Sequence, residues 1–204
     1  MTVKLKICGI RTEEEIDMVN EALPDYIGFV FAESRRKVDL HKALLLRRKL
    51  DERIKSVGVF VDEIIDHVIE AVKSKAIDIV QLHGNEDDTY IRTLKASVPV
   101  QVIKAVRMGE KNNVLLDSPL SDFLLADSFA GSGRTFDWSI ALQSEKPLFI
   151  AGGIGEENIE RAFEIFQPYA FDLSSSVETN GYKDREKIRK ITMILRSLNG
   201  VKDE

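Results

Sequence analysis

The 204 residues are 44% hydrophobic and 31% charged, the balance of an ordinary globular chain with volume for one sizeable core. A formal charge of -5 argues against a general nucleic-acid binder, which carries a basic stripe to neutralise phosphates. The one cysteine excludes an intramolecular disulfide, no Cys and His cluster has zinc-ligand spacing, and no apolar run is long enough to span a bilayer.

Short β-branched runs recur with amphipathic stretches between them, the pattern of βα units on a parallel sheet. Met1 to Lys6 alternates charged and apolar residues, unlike a secretory signal, so a cytoplasmic location is expected. The first strand, Val3 to Cys8, runs into a helix whose start is marked by Thr12 and Glu15, a capping box, with Ile16 and Val19 opening its apolar face. The second and third strands are expected at Tyr26 to Phe31 and Lys55 to Val61. Asp62 then reads as the N-cap of a helix striped by Ile64, Ile65, Val68, Ile69 and Val72. Strands four to eight follow at Ile77 to Leu82, Val100 to Ala105, Phe123 to Ala126, Leu148 to Ala151 and Ala170 to Leu173. Between the fifth and sixth the helical pattern is weakest, because Asn112, Asn113 and Pro119 crowd it. A last helix runs through Ile188, Ile191, Ile194, Leu195 and Leu198.

Most of the strands are continuous apolar runs, as strands covered on both faces should be. Eight βα units in this length predict an α/β chain folded as a compact (β/α)8 TIM barrel, one catalytic domain over residues 1–204. The alternative, an open doubly wound sheet, lacks its glycine fingerprint, since Cys8-Gly9-Ile10-Arg11-Thr12 follows the first strand.

In such a barrel the chemistry gathers at the carboxyl ends of the strands. There the sequence places Cys8, then Ser34, Arg35 and Arg36, then His83, Asp127, Gly152 with Gly153, and Asp172 with Ser174 to Ser176. Ala130-Gly131-Ser132-Gly133-Arg134-Thr135 and Ala151-Gly152-Gly153-Ile154-Gly155 let backbone amides approach a phosphate; each alone is equally a tight βα turn. Arg36 is placed to fork onto a carboxylate, or belongs to a solvated basic patch with Arg35 and Lys37. His83 reads first as a polar residue satisfied at a strand end. A free cysteine is commonly a small buried hydrophobe, but Cys8 and Asp127 also form a base and acid pair across the barrel mouth. The thiol needs a nearby positive charge to ionise, and Asp127 has a competing role as a cap for the loop around Gly131.

Several short motifs in order give the chain a family likeness from Lys4 to Asp184. They are Lys4-Leu5-Lys6-Ile7-Cys8-Gly9-Ile10, Gly28-Phe29-Val30-Phe31 followed by Ser34-Arg35-Arg36, Val57-Gly58-Val59-Phe60-Val61, Val80-Gln81-Leu82-His83-Gly84, Gly131-Ser132-Gly133 with Phe136-Asp137-Trp138, and Asp172-Leu173-Ser174-Ser175. Together they resemble the phosphoribosylanthranilate isomerases, (β/α)8 enzymes of tryptophan biosynthesis. The resemblance implies a cofactor-independent Amadori rearrangement of a small-molecule substrate. Charge and hydropathy speak against nucleic-acid and membrane partners, and the sequence leaves monomer and homodimer both open. It makes Cys8 the general base at C2 of the ribose and Asp127 the general acid at the ring oxygen. Arg36 falls where the anthranilate carboxylate is engaged, Asp172 near the amino nitrogen, and His83 on the substrate side. The phosphate is expected on Gly131, Ser132, Gly133, Gly152, Gly153, Ser175 and Ser176. Ala130, Ala151, Ser176 and Lys37 depart from the family pattern, and Ser176 is a concern if that position requires positive φ. Two rivals remain: another phosphate-handling barrel isomerase or synthase, which need not use a thiol, and a silent metabolite-binding barrel.

Overall fold

Apolar runs covered on both faces pair in parallel, and here they close on themselves. The computed structural model describes residues 2–107, 114–115, 118–127 and 142–200. Its barrel strands are β1 (Lys4–Cys8), β2 (Tyr26–Val30), β3 (Lys55–Phe60), β4 (Ile79–Leu82), β5 (Gln101–Arg107), β6 (Phe123–Asp127), β7 (Leu148–Ala151) and β8 (Ala170–Leu173). They form a closed barrel in which β8 returns to pair with β1, Lys6 beside Asp172. The helices are α1 (Glu13–Ala22), α2 (Leu40–Arg47), α3 (Ile65–Lys73), α4 (Asp88–Ser97), α5 (Ile159–Phe166) and α6 (Arg185–Leu198). Between β5 and β6 the described residues hold no helix; Val114–Leu115 instead pairs in parallel with Leu142–Gln143. Among the described residues no helix is long and apolar enough to cross a membrane.

Thr12 and Glu15 form the expected capping box at α1. The start of α3 differs from expectation. Its N-cap is Ile64, which offers no side-chain bond, while Asp62 sits at φ 50° and accepts from the backbone and side-chain nitrogens of Asn85 at 2.6 and 3.0 Å. The carboxylate that could have capped the helix is engaged by the loop after β4.

Side chains alternate along each strand, so one set faces the helices and the other fills the barrel. The inner set is Tyr26, Val57, Ile79, Ile103, Phe123, Leu125 and Phe149 with small residues between them. At the amino ends of the strands aromatics plug the barrel: Phe149 packs edge-on to Phe123 at 5.7 Å, and the hydroxyls of Tyr26 and Tyr169 meet at 2.9 Å. The same end carries a repeated device. Asp25, Asp78 and Asp122, each just before an even-numbered strand, accept from the N–H of Leu5, Ser56 and Val102 at 2.9, 2.8 and 2.7 Å. Each carboxylate satisfies an amide at the start of the preceding strand and fixes the stagger of the pair.

Hydrogen bonds to a charged acceptor contribute more than neutral ones, and Val102 is fully buried. Asp122→Ala should therefore lower the unfolding free energy by about 1–3 kcal/mol in urea denaturation.

Candidate active site

With its amino end closed by aromatics, the barrel keeps its polar interior for the other end. Lys6 and Cys8, two residues apart on β1, point inward while Leu5 and Ile7 face the helices. Cys8, Gln81, His83, Asp127 and Asp172 line a cavity of about 320 Å³ at the carboxyl ends of the strands. Arg36, Gly152, Gly153, Ser175 and Ser176 line it too. Of the residues expected from sequence, only Gly131, Ser132 and Gly133 are missing from this set, because they lie outside the described residues. The Asp127 cap for that loop lies there with them.

Room for the thiol comes from Gly28, the neighbour of Cys8 in the β1–β2 register. A Cβ on Gly28 would stand 2.7 Å from Cys8 Sγ and 3.1 Å from its Cα. Burial pushes the Cys8 thiol above its ordinary value; Lys6 pulls it down, Asp172 pushes it back up, and Lys183 also lowers it. The resting thiol is therefore neutral, with two ammonium groups placed to favour its ionised form.

Lys6 is fully buried and donates to Asp172 Oδ2 at 2.6 Å. Burial works against the Lys6 ammonium, yet the Asp172 carboxylate holds its pKa above the usual lysine value. Asp172 Oδ1 is buried with no hydrogen-bond partner among the described residues. His83 Nδ1 lies 3.0 Å from Gln81 Nε2, and its Nε2 comes within 3.2 Å of Asp127 Oδ2 without the alignment of a hydrogen bond. His83 is thus only half satisfied at its strand end: Nδ1 meets Gln81, while the buried Nε2 faces Asp127 without a hydrogen bond.

Between Asp127 on β6 and Asp172 on β8, the glycines of the β7 turn adopt the left-handed conformation, Gly152 at φ 81° and Gly153 at φ 67°. Ser175–Val177 is a single 3-10 turn, and Ser174 Oγ ties it to the Cys8 carbonyl at 3.0 Å. Ser176 is not among the residues of positive φ, so serine in place of glycine carries no backbone strain. Lys37 pairs with Glu33 on the loop after β2.

Glu178 and Lys183 were not singled out from sequence. They face each other across a hairpin whose two-residue turn, Asn180 at φ 53° and Gly181 at φ 81°, requires left-handed residues. Lys183 Nζ meets Glu178 Oε1 at 2.8 Å with no exposed side-chain surface. Arg36 donates through Nε and Nη2 to the two oxygens of Glu178, at 2.7 and 2.9 Å. Burial works against the Glu178 carboxylate, but the Arg36 guanidinium and the Lys183 ammonium outweigh it and hold its pKa at about 2. Among the described residues no group of three or more His, Cys, Asp and Glu side chains converges as a metal site.

A thiol and a carboxyl on one cavity, with glycine and serine turns at the last strands, are the layout of a (β/α)8 barrel enzyme for a small anionic molecule. The family model for N-(5'phosphoribosyl)anthranilate (PRA) isomerase matches residues 5–193, and the chain belongs to that family. A relative in Endomicrobium trichonymphae, N-(5'-phosphoribosyl)anthranilate isomerase, is 46% identical over 200 residues, 96% of this chain and 99% of that protein. The phosphoribosyl anthranilate isomerase of Thermus thermophilus has a TM-score of 0.84 to this fold at 29% identity, covering 96% of this chain and 100% of its own. A further phosphoribosyl anthranilate isomerase structure, in complex with reduced 1-(o-carboxyphenylamino)-1-deoxyribulose 5-phosphate, has a TM-score of 0.78 at 28% identity, with coverage of 96% and 100%.

Two outcomes follow from this geometry. Gly28→Ala should displace the thiol and, as overpacking does, lower the unfolding free energy by about 1–3 kcal/mol in urea denaturation. Glu178 supports folding fully above its ordinary value of 4.5, and that support is lost as pH falls toward about 2. The unfolding free energy of Glu178→Gln should accordingly fall less steeply than wild type across that window.

Proposed function

We propose that this cavity carries out the Amadori rearrangement of N-(5'-phosphoribosyl)anthranilate to 1-(2-carboxyphenylamino)-1-deoxyribulose 5-phosphate, a step of tryptophan biosynthesis, by general acid and base catalysis. As a member of its family the chain is an isomerase, an intramolecular oxidoreductase that converts an aldose derivative to a ketose. The observation that carries the residue assignment is that Cys8 and Asp127 line one cavity together with Arg36 and two anion-suited turns.

Asp127 gives its proton to the furanose ring oxygen as the C1–O bond breaks, and the nitrogen lone pair closes a C1=N iminium. The iminium acidifies the C2–H bond, so the ionised thiol of Cys8, favoured by the Lys6 and Lys183 charges, can take that proton. The electron pair released at C2 forms the C1=C2 bond and neutralises the iminium. The enol then shifts its hydroxyl proton to C1 and gives the ketone. Cys8 ends with the proton from C2 and Asp127 ends without one, and exchange with solvent resets the pair.

Three anchors hold the substrate during these steps. Arg36 takes the ring carboxylate, Asp172 stands near the amino nitrogen, and Gly152, Gly153, Ser175 and Ser176 receive the phosphate together with Gly131, Ser132 and Gly133. His83, beside Asp127, belongs to the substrate side of the pocket. The barrel acts as a single catalytic domain. Its lone thiol suits the reducing conditions of the cytoplasm, where it stays unpaired.

Freshly made phosphoribosylanthranilate, followed by loss of anthranilate-type fluorescence, tests this directly. Wild type should accelerate the decay, and Cys8→Ser or Asp127→Asn should each lower kcat by about 10²- to 10⁴-fold. Decay equal to that in buffer would leave a silent binding barrel as the reading.

A further inference from the structure

The guanidinium of Arg36 has two edges that can fork onto a carboxylate, and the protein itself occupies one. Glu178 takes the Nε and Nη2 edge at 2.7 and 2.9 Å. The outer edge, Nη1 with the second hydrogen of Nη2, has no hydrogen-bond partner among the described residues, on a side chain that lines the cavity. We propose that Glu178 is the positioning residue that makes Arg36 a receptor for the substrate's ring carboxylate, gripping one edge so that the other is held toward the pocket. This rests on the reading of Arg36 given above and extends it to a residue that touches no substrate atom.

Three observations support it. First, Glu178 is itself fixed: its side chain is 4% exposed, and Lys183 holds Oε1 at 2.8 Å from the facing strand of the hairpin. A long arginine stem loses less freedom on binding when its head is already held, so the held geometry favours ligand capture. Second, the stem has a defined path, because a Cβ on Gly9 would come within 2.3 Å of Arg36 Cδ. Third, the charges leave room for a second anion. Glu178 bonds Arg36, Lys183 and, at 2.8 Å, the Nη2 of Arg35; Glu15 is a second acid near Arg36 and burial lowers the Lys183 pKa, but the three bases still outnumber the two acids. A substrate carboxylate arriving at Arg36 meets net attraction despite its acidic neighbour.

The test compares binding of two stable ligands by calorimetry: reduced 1-(o-carboxyphenylamino)-1-deoxyribulose 5-phosphate and the same molecule without the ring carboxyl. Glu178→Gln should weaken the carboxylated ligand by about tenfold and change the other by less than about twofold. Added to Arg36→Met, it should cause no further loss for either ligand. Equal weakening of both ligands, or of neither, overturns the proposal, the former assigning Glu178 a purely structural role. If Glu178→Gln does not fold, Glu178→Asp gives the same reading, with selective loss in support and equal loss against. Arg36→Met separates the two levels. Should it leave the preference for the carboxylated ligand intact, the assignment of Arg36 itself falls and Glu178 with it; should it abolish that preference while Glu178→Gln keeps it, only Glu178's role falls.

Discussion

An ammonium and a carboxylate held 2.6 Å apart inside the barrel are the constraint around which its polar mouth is built. Strand pairing alone puts Lys6 beside Asp172, because closure of the barrel brings β8 against β1 in that register. Removing two ions from water costs about several kcal/mol each, and apolar residues of similar volume would often be as stable or more so. The pair also leaves Asp172 Oδ1 buried and unpartnered, against the strong tendency of interiors to satisfy every polar atom. Stability therefore does not explain these residues. What they provide is a fixed charge next to Cys8, in a site where water screens little.

The same strands that supply this mouth are stabilised from their other ends. Period-two alternation lets one strand carry an apolar residue deep in the barrel and a reactive one at its carboxyl terminus, as β6 does with Phe123, Leu125 and Asp127. The aromatic plug and the three aspartates lie at the amino ends, away from the cavity. Stabilising contacts and partly unsatisfied polar groups thus lie at opposite ends of the barrel. A second ring of charge, Glu178, Lys183 and Arg36, lies outside the barrel and anchors the loop after β2 to the hairpin before α6.

Much of this was legible from the chain. β7 and β8 have the bounds read from sequence, because their apolar runs stop abruptly at Gly152 and at Ser174. The other strands differ at their ends by one or two residues, where pairing rather than composition decides the boundary. Cys8, Asp127 and Asp172 could be placed because a strand end in a barrel has only one mouth to face. Asp62 could not, since its capping oxygen was taken by Asn85, a partner 23 positions away that no local pattern reveals. Lys6 carries a signal in its spacing: two residues before Cys8 on an alternating strand, it must point the same way as the thiol. Glu178 and Lys183 left a fainter one, equal spacing on either side of Asn180-Gly181.

The departures from the family pattern show how such a site absorbs change. Ser176 was suspect only if its backbone needed the left-handed region, and it does not. Its cost is steric instead, and it is met on another loop: a Cβ on Gly155 would lie 3.2 Å from Ser176 Cβ and still closer to the Glu157 carboxylate. The glycine after β7 therefore leaves space for the serine after β8. The two loops constrain each other's side chains, so substitution in one is tolerated only where the other is small.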